Sequence, residues 1–260
     1  MAVERLERIG ARKEQALEAA ASCARLLKER FGARRVILFG SIAGQGPWHE
    51  RSDIDLAVEG LAPVDFFPAY SACRDLLPRG LEMDLVPLER AYPEMRARIL
   101  GEVEMPDDPM LAMRSLVEDE LVALERLAGE MEDLRAECEQ PPTRIELRAM
   151  ASMLHEFYNG VERIFERIAL GLDEGIPQGA YWHADLLAQM SLLERPGEKP
   201  TLIDEPLRAR LKDYMDFRHF FRHAYGYTLQ WSQMQWKVEH LSDTLTMLRE
   251  QLGVFFEAIT

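Results

Sequence analysis

No apolar run in the sequence approaches the ~18 residues that a membrane-spanning helix needs, so the chain is not expected to cross a bilayer. Residues 1–10 are charged and have no apolar core, which argues against a secretory signal. Cysteine is scarce. Cys23, Cys73 and Cys138 are odd in number and far apart, so they offer neither a disulfide framework nor the close spacing of a zinc site. The expectation is three free thiols in a reducing cytoplasm. Positive charge is also in deficit: 31 Lys and Arg stand against 45 Asp and Glu, a net charge of −14. Residues 1–110 hold 15 basic and 19 acidic side chains, and residues 111–260 hold 16 and 26. Phosphate neutralisation supplies most non-specific nucleic-acid affinity, so neither half is a general nucleic-acid binder. Any such contact has to be local.

What is present is two blocks of different periodicity. In residues 3–31, Leu6, Ile9, Leu17, Ala20, Ala24 and Leu27 recur at helical spacing, and Gly32 ends the run. Residues 35–39 form a short β-branched apolar run that reads as a buried strand. Gly40-Ser41 follows, then a polar loop with Gly44, Gly46 and Pro47. Residues 53–58 alternate polar and apolar, the period of a strand, and residues 81–86 read as a third. Residues 64–77 and 89–100 read as covering helices. Pro106-Asp107-Asp108-Pro109 reads as a linker. Everything beyond is helical: residues 113–138, 144–170, 181–193, 204–225 and 229–256, the last pair bent near Gly226. Thr143 with Glu146 spells a capping box. The expected fold is an α/β (α+β) domain over residues 1–108, followed by an all-α helical bundle over residues 109–260.

Aspartate is disfavoured in strands, and Asp53 and Asp55 occupy one strand on the same face. Two adjacent carboxylates repel unless a cation lies between them. Asp84, in a neighbouring strand, supplies a third. Three such oxygen donors suit Mg²⁺ rather than zinc. Gly40-Ser41 leaves its strand into a glycine-rich turn, where backbone amides and the Ser41 hydroxyl can face a triphosphate.

Phe39-Gly40-Ser41 followed by Ser52-Asp53-Ile54-Asp55-Leu56 resembles the polymerase-β-type nucleotidyltransferases, above all the minimal prokaryotic ones, over about residues 30–100. The resemblance implies that Asp53, Asp55 and Asp84 bind catalytic Mg²⁺ and that Gly40 and Ser41 hold the nucleotide, ATP. Minimal members commonly carry arginines directly after Gly-Ser, whereas Ile42-Ala43-Gly44 follow here.

A second cluster lies in the acidic half. Residues 217–227 read F-R-H-F-F-R-H-A-Y-G-Y. At about 100° per residue, Arg218, Arg222 and Tyr225 fall on one stripe and His219 and His223 on the next. Arginine can hold a phosphate, and histidine can exchange a proton near neutrality. Cleaving RNA through its own 2′-hydroxyl needs those two functions and no metal. The competing readings are an i,i+4 histidine metal pair, which lacks a third ligand nearby, and arginines simply paired with Asp213 or Asp216. Arg218 and His223 are about 140° apart on an ideal helix. They share a cleft only if the arginine bends over, the helix distorts, or two subunits complete the site.

The cluster resembles the Arg-x4-His-x-Tyr motif of HEPN domains, helical domains often paired with minimal nucleotidyltransferases. Arg218, His223 and Tyr225 match it. The resemblance implies a homodimer with an RNA-cleaving cleft, Arg218 and His223 as its catalytic residues, and silencing by transfer of AMP to Tyr225. Toxin and antitoxin are usually separate chains in that family; the resemblance implies that here they are fused. Two rivals stand beside this expectation. One is a small-molecule nucleotidyltransferase of the aminoglycoside-modifying type, which a cationic cluster does not suit. The other is an active HEPN ribonuclease with a nucleotide-sensing first domain. Outside the motifs, His183 reads as a helix start packed on the bundle, and nothing in the pattern compels His155 or Tyr158 to face the cleft.

Overall fold

The alternation around residues 53–58 becomes β2 (Ile54–Glu59), the middle strand of a three-stranded sheet ordered β1-β2-β3 in the computed structural model of the chain. The structure describes residues 2–46, 48–50, 52–172, 174–193, 201–223 and 229–259. β1 (Arg35–Phe39) lies antiparallel to β2, and β3 (Met83–Pro87) lies parallel to it. A parallel pair requires a crossover, which here carries α2 (Phe66–Arg74). Because side chains alternate along a strand, the sheet has two distinct faces. Val36, Leu38, Ile54, Leu56, Val58, Met83 and Leu85 pack with Ala16, Ala20, Cys23 and Leu27 of α1 (Ala2–Phe31) and with Ala69 and Cys73 of α2. The opposite face is thinly covered. There Ile37, Phe39 and Ala57 meet Leu88 and the end of α3 (Pro93–Leu100). Register places Phe39 beside Asp55, and Asp55 beside Asp84, so both aspartates belong to this second face.

The three cysteines are free, but the fold brings two of them together. The Cys23 thiol donates to the Cys73 carbonyl at 3.6 Å, and the Cys73 thiol to the Cys23 carbonyl at 4.0 Å. Contact with Cys23 and burial push the Cys73 thiol far above its usual range.

The chain divides into two compact units, Met1–Asp107 and Asp108–Thr260. The division falls one residue before the expected boundary because Asp108 caps the first helix of the second unit. Its carboxylate accepts the amides of Met110 and Leu111 at 2.8 and 3.0 Å, and Pro109 takes the first helical position, where no amide donor is needed. α4 (Pro109–Glu137) therefore starts four residues ahead of the expected helix. α5 (Arg144–Gly171) opens with both bonds of the capping box: Glu146 N–H to Thr143 Oγ1 at 3.4 Å, and Thr143 N–H to Glu146 Oε2 at 2.6 Å. α6 (Trp182–Leu192), α7 (Glu205–His223), α8 (Trp231–Glu239) and α9 (Leu241–Ile259) follow.

The single helix expected over residues 229–256 is instead two, divided at His240. The Trp236 carbonyl accepts both the His240 amide, at 3.0 Å, and His240 Nδ1, at 2.9 Å. The His240 carbonyl then begins α9 by accepting the Thr244 amide and hydroxyl. The bend expected near Gly226 lies outside the described residues. Among those residues, no helix is long and apolar enough to cross a membrane.

α5 is the axis of the helical unit. Its Met150, Leu154, Phe157, Tyr158, Ile164 and Phe165 are buried in one cluster to which α4 and α6–α9 all contribute. Close approach of α4 to α5 depends on Gly160: a Cβ there would lie 2.6 Å from Leu124 Cδ2 and 3.2 Å from Glu120 Oε1. Gly129, exposed on α4, has nothing within 4 Å of the corresponding position. Gly160→Val is therefore expected to lower the unfolding free energy of the helical unit by about 1–3 kcal/mol through overpacking. Gly129→Ala is expected to raise it by about 0.5–1 kcal/mol through helix propensity. Urea titration followed by tryptophan fluorescence separates the two outcomes by the sign of the midpoint shift.

Candidate active site

At the end of β1 the chain turns sharply. Gly40 has φ 70° and ψ −154°, a backbone region that side chains other than hydrogen strongly disfavour. Space demands glycine as well: a Cβ at this position would collide with the Asp55 carboxylate, 2.8 Å from its Cγ. The turn is then locked from within. The Gly40 carbonyl accepts the amides of Ala43 and Gln45 at 3.1 and 3.0 Å, and the Gly40 amide donates to Gln45 Oε1 at 2.9 Å. Gly44, at φ 87°, closes the turn by donating to the Ser41 carbonyl at 3.2 Å. Gly40 and Ser41 are thus held against the strand that carries Asp55.

Asp53 enters that strand from a second fixed turn. The His49 amide donates to Ser52 Oγ at 3.0 Å, and the Ser52 amide returns a bond to the His49 carbonyl at 3.0 Å, with Ser52 buried. Arg12 of α1 reaches the Gly80 carbonyl at 2.8 Å and the Ser52 carbonyl at 3.5 Å, tying the approaches to β2 and β3 together. One carboxylate oxygen each from Asp53, Asp55 and Asp84 then lies within 4.8 Å of the other two. Asp53 and Asp55 are half-buried and Asp84 is exposed. Among the described residues this is the one such group. The donors are all hard oxygens, with no thiolate or imidazole, which fits Mg²⁺ and not zinc.

In the helical unit, Arg218 turns inward. It donates from Nε to Asn159 Oδ1 and from Nη2 to Glu162 Oε1 at 3.2 Å. The other Glu162 oxygen lies 2.5 Å from His183 Nδ1, on α6. Asn159 Nδ2 lies 3.1 Å from His155 Nδ1. Five side chains from three helices therefore form one chain: His155, Asn159, Arg218, Glu162 and His183. Glu162 is only 7% exposed, and a carboxylate so placed is tolerated only because it is paired on both sides. Burial, then the charges of Arg218 and Arg222, hold the His155 imidazole below its usual pKa. Burial likewise pushes the Tyr158 phenol up, and Glu162 adds to the effect.

His223 is exposed and sits ring to ring with His219, centroids 5.1 Å apart. α7 remains helical through His223, so the helix does not distort to bring that histidine round to Arg218. Asp216 pairs with Lys212 at 2.5 Å rather than with an arginine of the cluster. Tyr225 lies outside the described residues. Nothing in the sequence pattern marks Asn159, whereas Glu162 carries a readable signal. It stands four residues after Tyr158 and three before Phe165, an acid on the apolar stripe of α5. His183, read as a packed helix start, is a member of the polar chain.

Gly40→Ala drives a methyl into the Asp55 carboxylate. It is expected to weaken Mn²⁺ binding by at least about tenfold, since only one ligand in three need move for the coordination geometry to fail. Electron paramagnetic resonance titration of free Mn²⁺ reads this directly, with circular dichroism confirming an intact fold.

Two family models match the chain. The one described as Polymerase beta, Nucleotidyltransferase matches residues 22–105, and the one described as HepT-like protein matches residues 149–259. No curated protein and no solved structure matches it. The first match spans the sheet, the Gly40 turn and the three aspartates; the second spans most of α5, all of α6 to α9 and the polar chain through Arg218. The chain carries a polymerase-β nucleotidyltransferase domain over residues 22–105 and a HepT-like (HEPN) domain over residues 149–259.

Proposed function

We propose that the protein is a Mg²⁺-dependent adenylyltransferase acting on its own kind, transferring AMP from ATP to Tyr225 and thereby silencing an RNA-cleaving site built on Arg218 and His223. The carrying observation is the convergence of Asp53, Asp55 and Asp84 within 4.8 Å beside the Gly40 turn, in a chain that also holds a HepT-like domain. Asp53, Asp55 and Asp84 would hold the cation, and Gly40 and Ser41 would border the triphosphate. Mg²⁺, when bound, supplies a lowered pKa for the attacking oxygen and charge neutralisation for departing pyrophosphate. The Tyr225 oxygen attacks the α-phosphorus, the bond to the β-phosphate breaks, and the phenolic proton is lost to solvent or to a neighbouring carboxylate. The product is a tyrosyl phosphodiester. Its negative charge would compete with an RNA phosphate for the same guanidinium groups.

For RNA cleavage, Arg218 would stabilise the phosphate and His223 would move the proton. Arg218 faces α5 while His223 is exposed, and on a regular helix the two are about 140° apart. A homodimer in which the second copy of α7 completes the site meets that constraint. The free cysteines fit a reducing, cytoplasmic setting.

Intact-mass analysis with peptide mapping, before and after incubation with Mg²⁺ and ATP, tests the transfer. The expected result is an AMP-sized increment on Tyr225 that is absent from an Asp53→Asn/Asp55→Asn control. No increment in either fresh or incubated protein excludes self-modification.

A further inference from the structure

His155 takes no part in the Arg218–His223–Tyr225 motif, yet it ends the polar chain that fixes Arg218. The bonding along that chain determines where its proton sits. Arginine offers only donors, so the Asn159 oxygen must face Arg218 Nε, as it does. The Asn159 amide nitrogen is then the atom 3.1 Å from His155 Nδ1, and it can only donate. His155 Nδ1 is therefore an acceptor, and the proton of the neutral ring resides on Nε2. Nε2 makes no hydrogen bond among the described residues, and neither does Nη1 of Arg218. Phe221 lies against the His155 ring, centroids 5.6 Å apart, and Arg222, one residue on, is exposed and makes no ion pair among the described residues. The half-buried ring thus leaves one fixed, uncharged N–H donor beside two guanidinium groups and an aromatic face.

We propose that His155 is a further binding residue of the helical unit, whose Nε2–H donates to a phosphate oxygen of an RNA strand also held by Arg218 and Arg222. This rests on the RNA reading above. The role suits a neutral ring. Two arginines already supply the positive charge, and a third cation among them would repel both. Among the groups acting on His155, Arg218 and Arg222 from α7 oppose its protonation, and the Glu162 carboxylate of α5 is engaged by Arg218 and by His183 of α6. Asn159 acts on His155 by position alone, as the donor that sets its tautomer.

The test uses the full chain bearing Asp53→Asn and Asp55→Asn, so that Tyr225 stays unmodified. Fluorescence anisotropy with a labelled, 2′-O-methylated single-stranded RNA at fixed ionic strength gives affinity without cleavage. His155→Ala is expected to weaken binding about tenfold, and His155→Gln, which keeps an N–H donor, to stay within about twofold of the parent. Imidazole ¹⁵N spectra should show the Nε2–H form at neutral pH, with a titration midpoint below the ordinary value. Asn159→Asp, which turns the donor into an acceptor, should move the proton to Nδ1 and raise that midpoint. Undiminished RNA binding by His155→Ala, an Nδ1–H ring in the parent, or a midpoint unmoved by Asn159→Asp each overturns the proposal and leaves the RNA reading standing. A parent protein that binds no RNA removes the RNA reading, and this proposal with it.

Discussion

Carboxylate oxygens held within 4.8 Å of one another repel, by roughly 1–4 kcal/mol per pair between the dielectric of bulk water and that of a protein surface. The first unit is organised to maintain that arrangement. Parallel pairing of β2 with β3 sets Asp55 level with Asp84. The double turn at His49 and Ser52 delivers Asp53 to the same face. Gly40 gives up a side chain so that the Asp55 carboxylate has room. The face bearing the acids is the one that α3 covers only near Ala57, which leaves Asp84 exposed. A fold under no requirement for these groups would relax the repulsion by a single substitution. A divalent cation among the three carboxylates would offset it.

The helical unit handles its buried charge in the opposite way, by internal pairing. Glu162 is bound on one side by Arg218 and on the other by His183. Glu120, also buried, takes two bonds from Arg163 and an ion pair with Arg167 at 3.1 Å. Each buried carboxylate is thus paired across helices, and these clusters hold α4 to α5 and α5 to α6 and α7 in one arrangement. Arg218 is fixed by this means in a defined orientation, with one nitrogen still unengaged among the described residues. A guanidinium positioned in advance loses less entropy on meeting a phosphate than a mobile one.

Much of this was legible in the sequence, for physical reasons that differ by element. Acids in an otherwise alternating strand stand out because both periodicity and propensity argue against them, so Asp53, Asp55 and Asp84 were readable without coordinates. The capping box at Thr143 is equally local, and the structure forms it with both bonds. The division at His240 was not readable, because no glycine or proline marks it; it depends on an imidazole reaching back to the Trp236 carbonyl. The Cys23–Cys73 contact joins residues fifty apart and exists only once α1 and α2 pack on the same sheet face. Asn159 carries no mark in the sequence, because a lone helical asparagine usually faces solvent, and only the position of Arg218 on α7 gives it a partner.

We propose that the three carboxylates form a shared cation site. It is tested most directly by the thermal stability of the nucleotidyltransferase unit in the full chain as Mg²⁺ is raised, compared with Asp84→Asn. A bound cation stabilises the folded state by mass action, so the native melting temperature should climb with Mg²⁺. Asp84→Asn, which relieves repulsion by removing one charge, should melt at or above the native protein without Mg²⁺ and lose most of the response to it. A native protein indifferent to Mg²⁺, or a variant that melts lower without metal and still responds fully, would contradict a shared cation site.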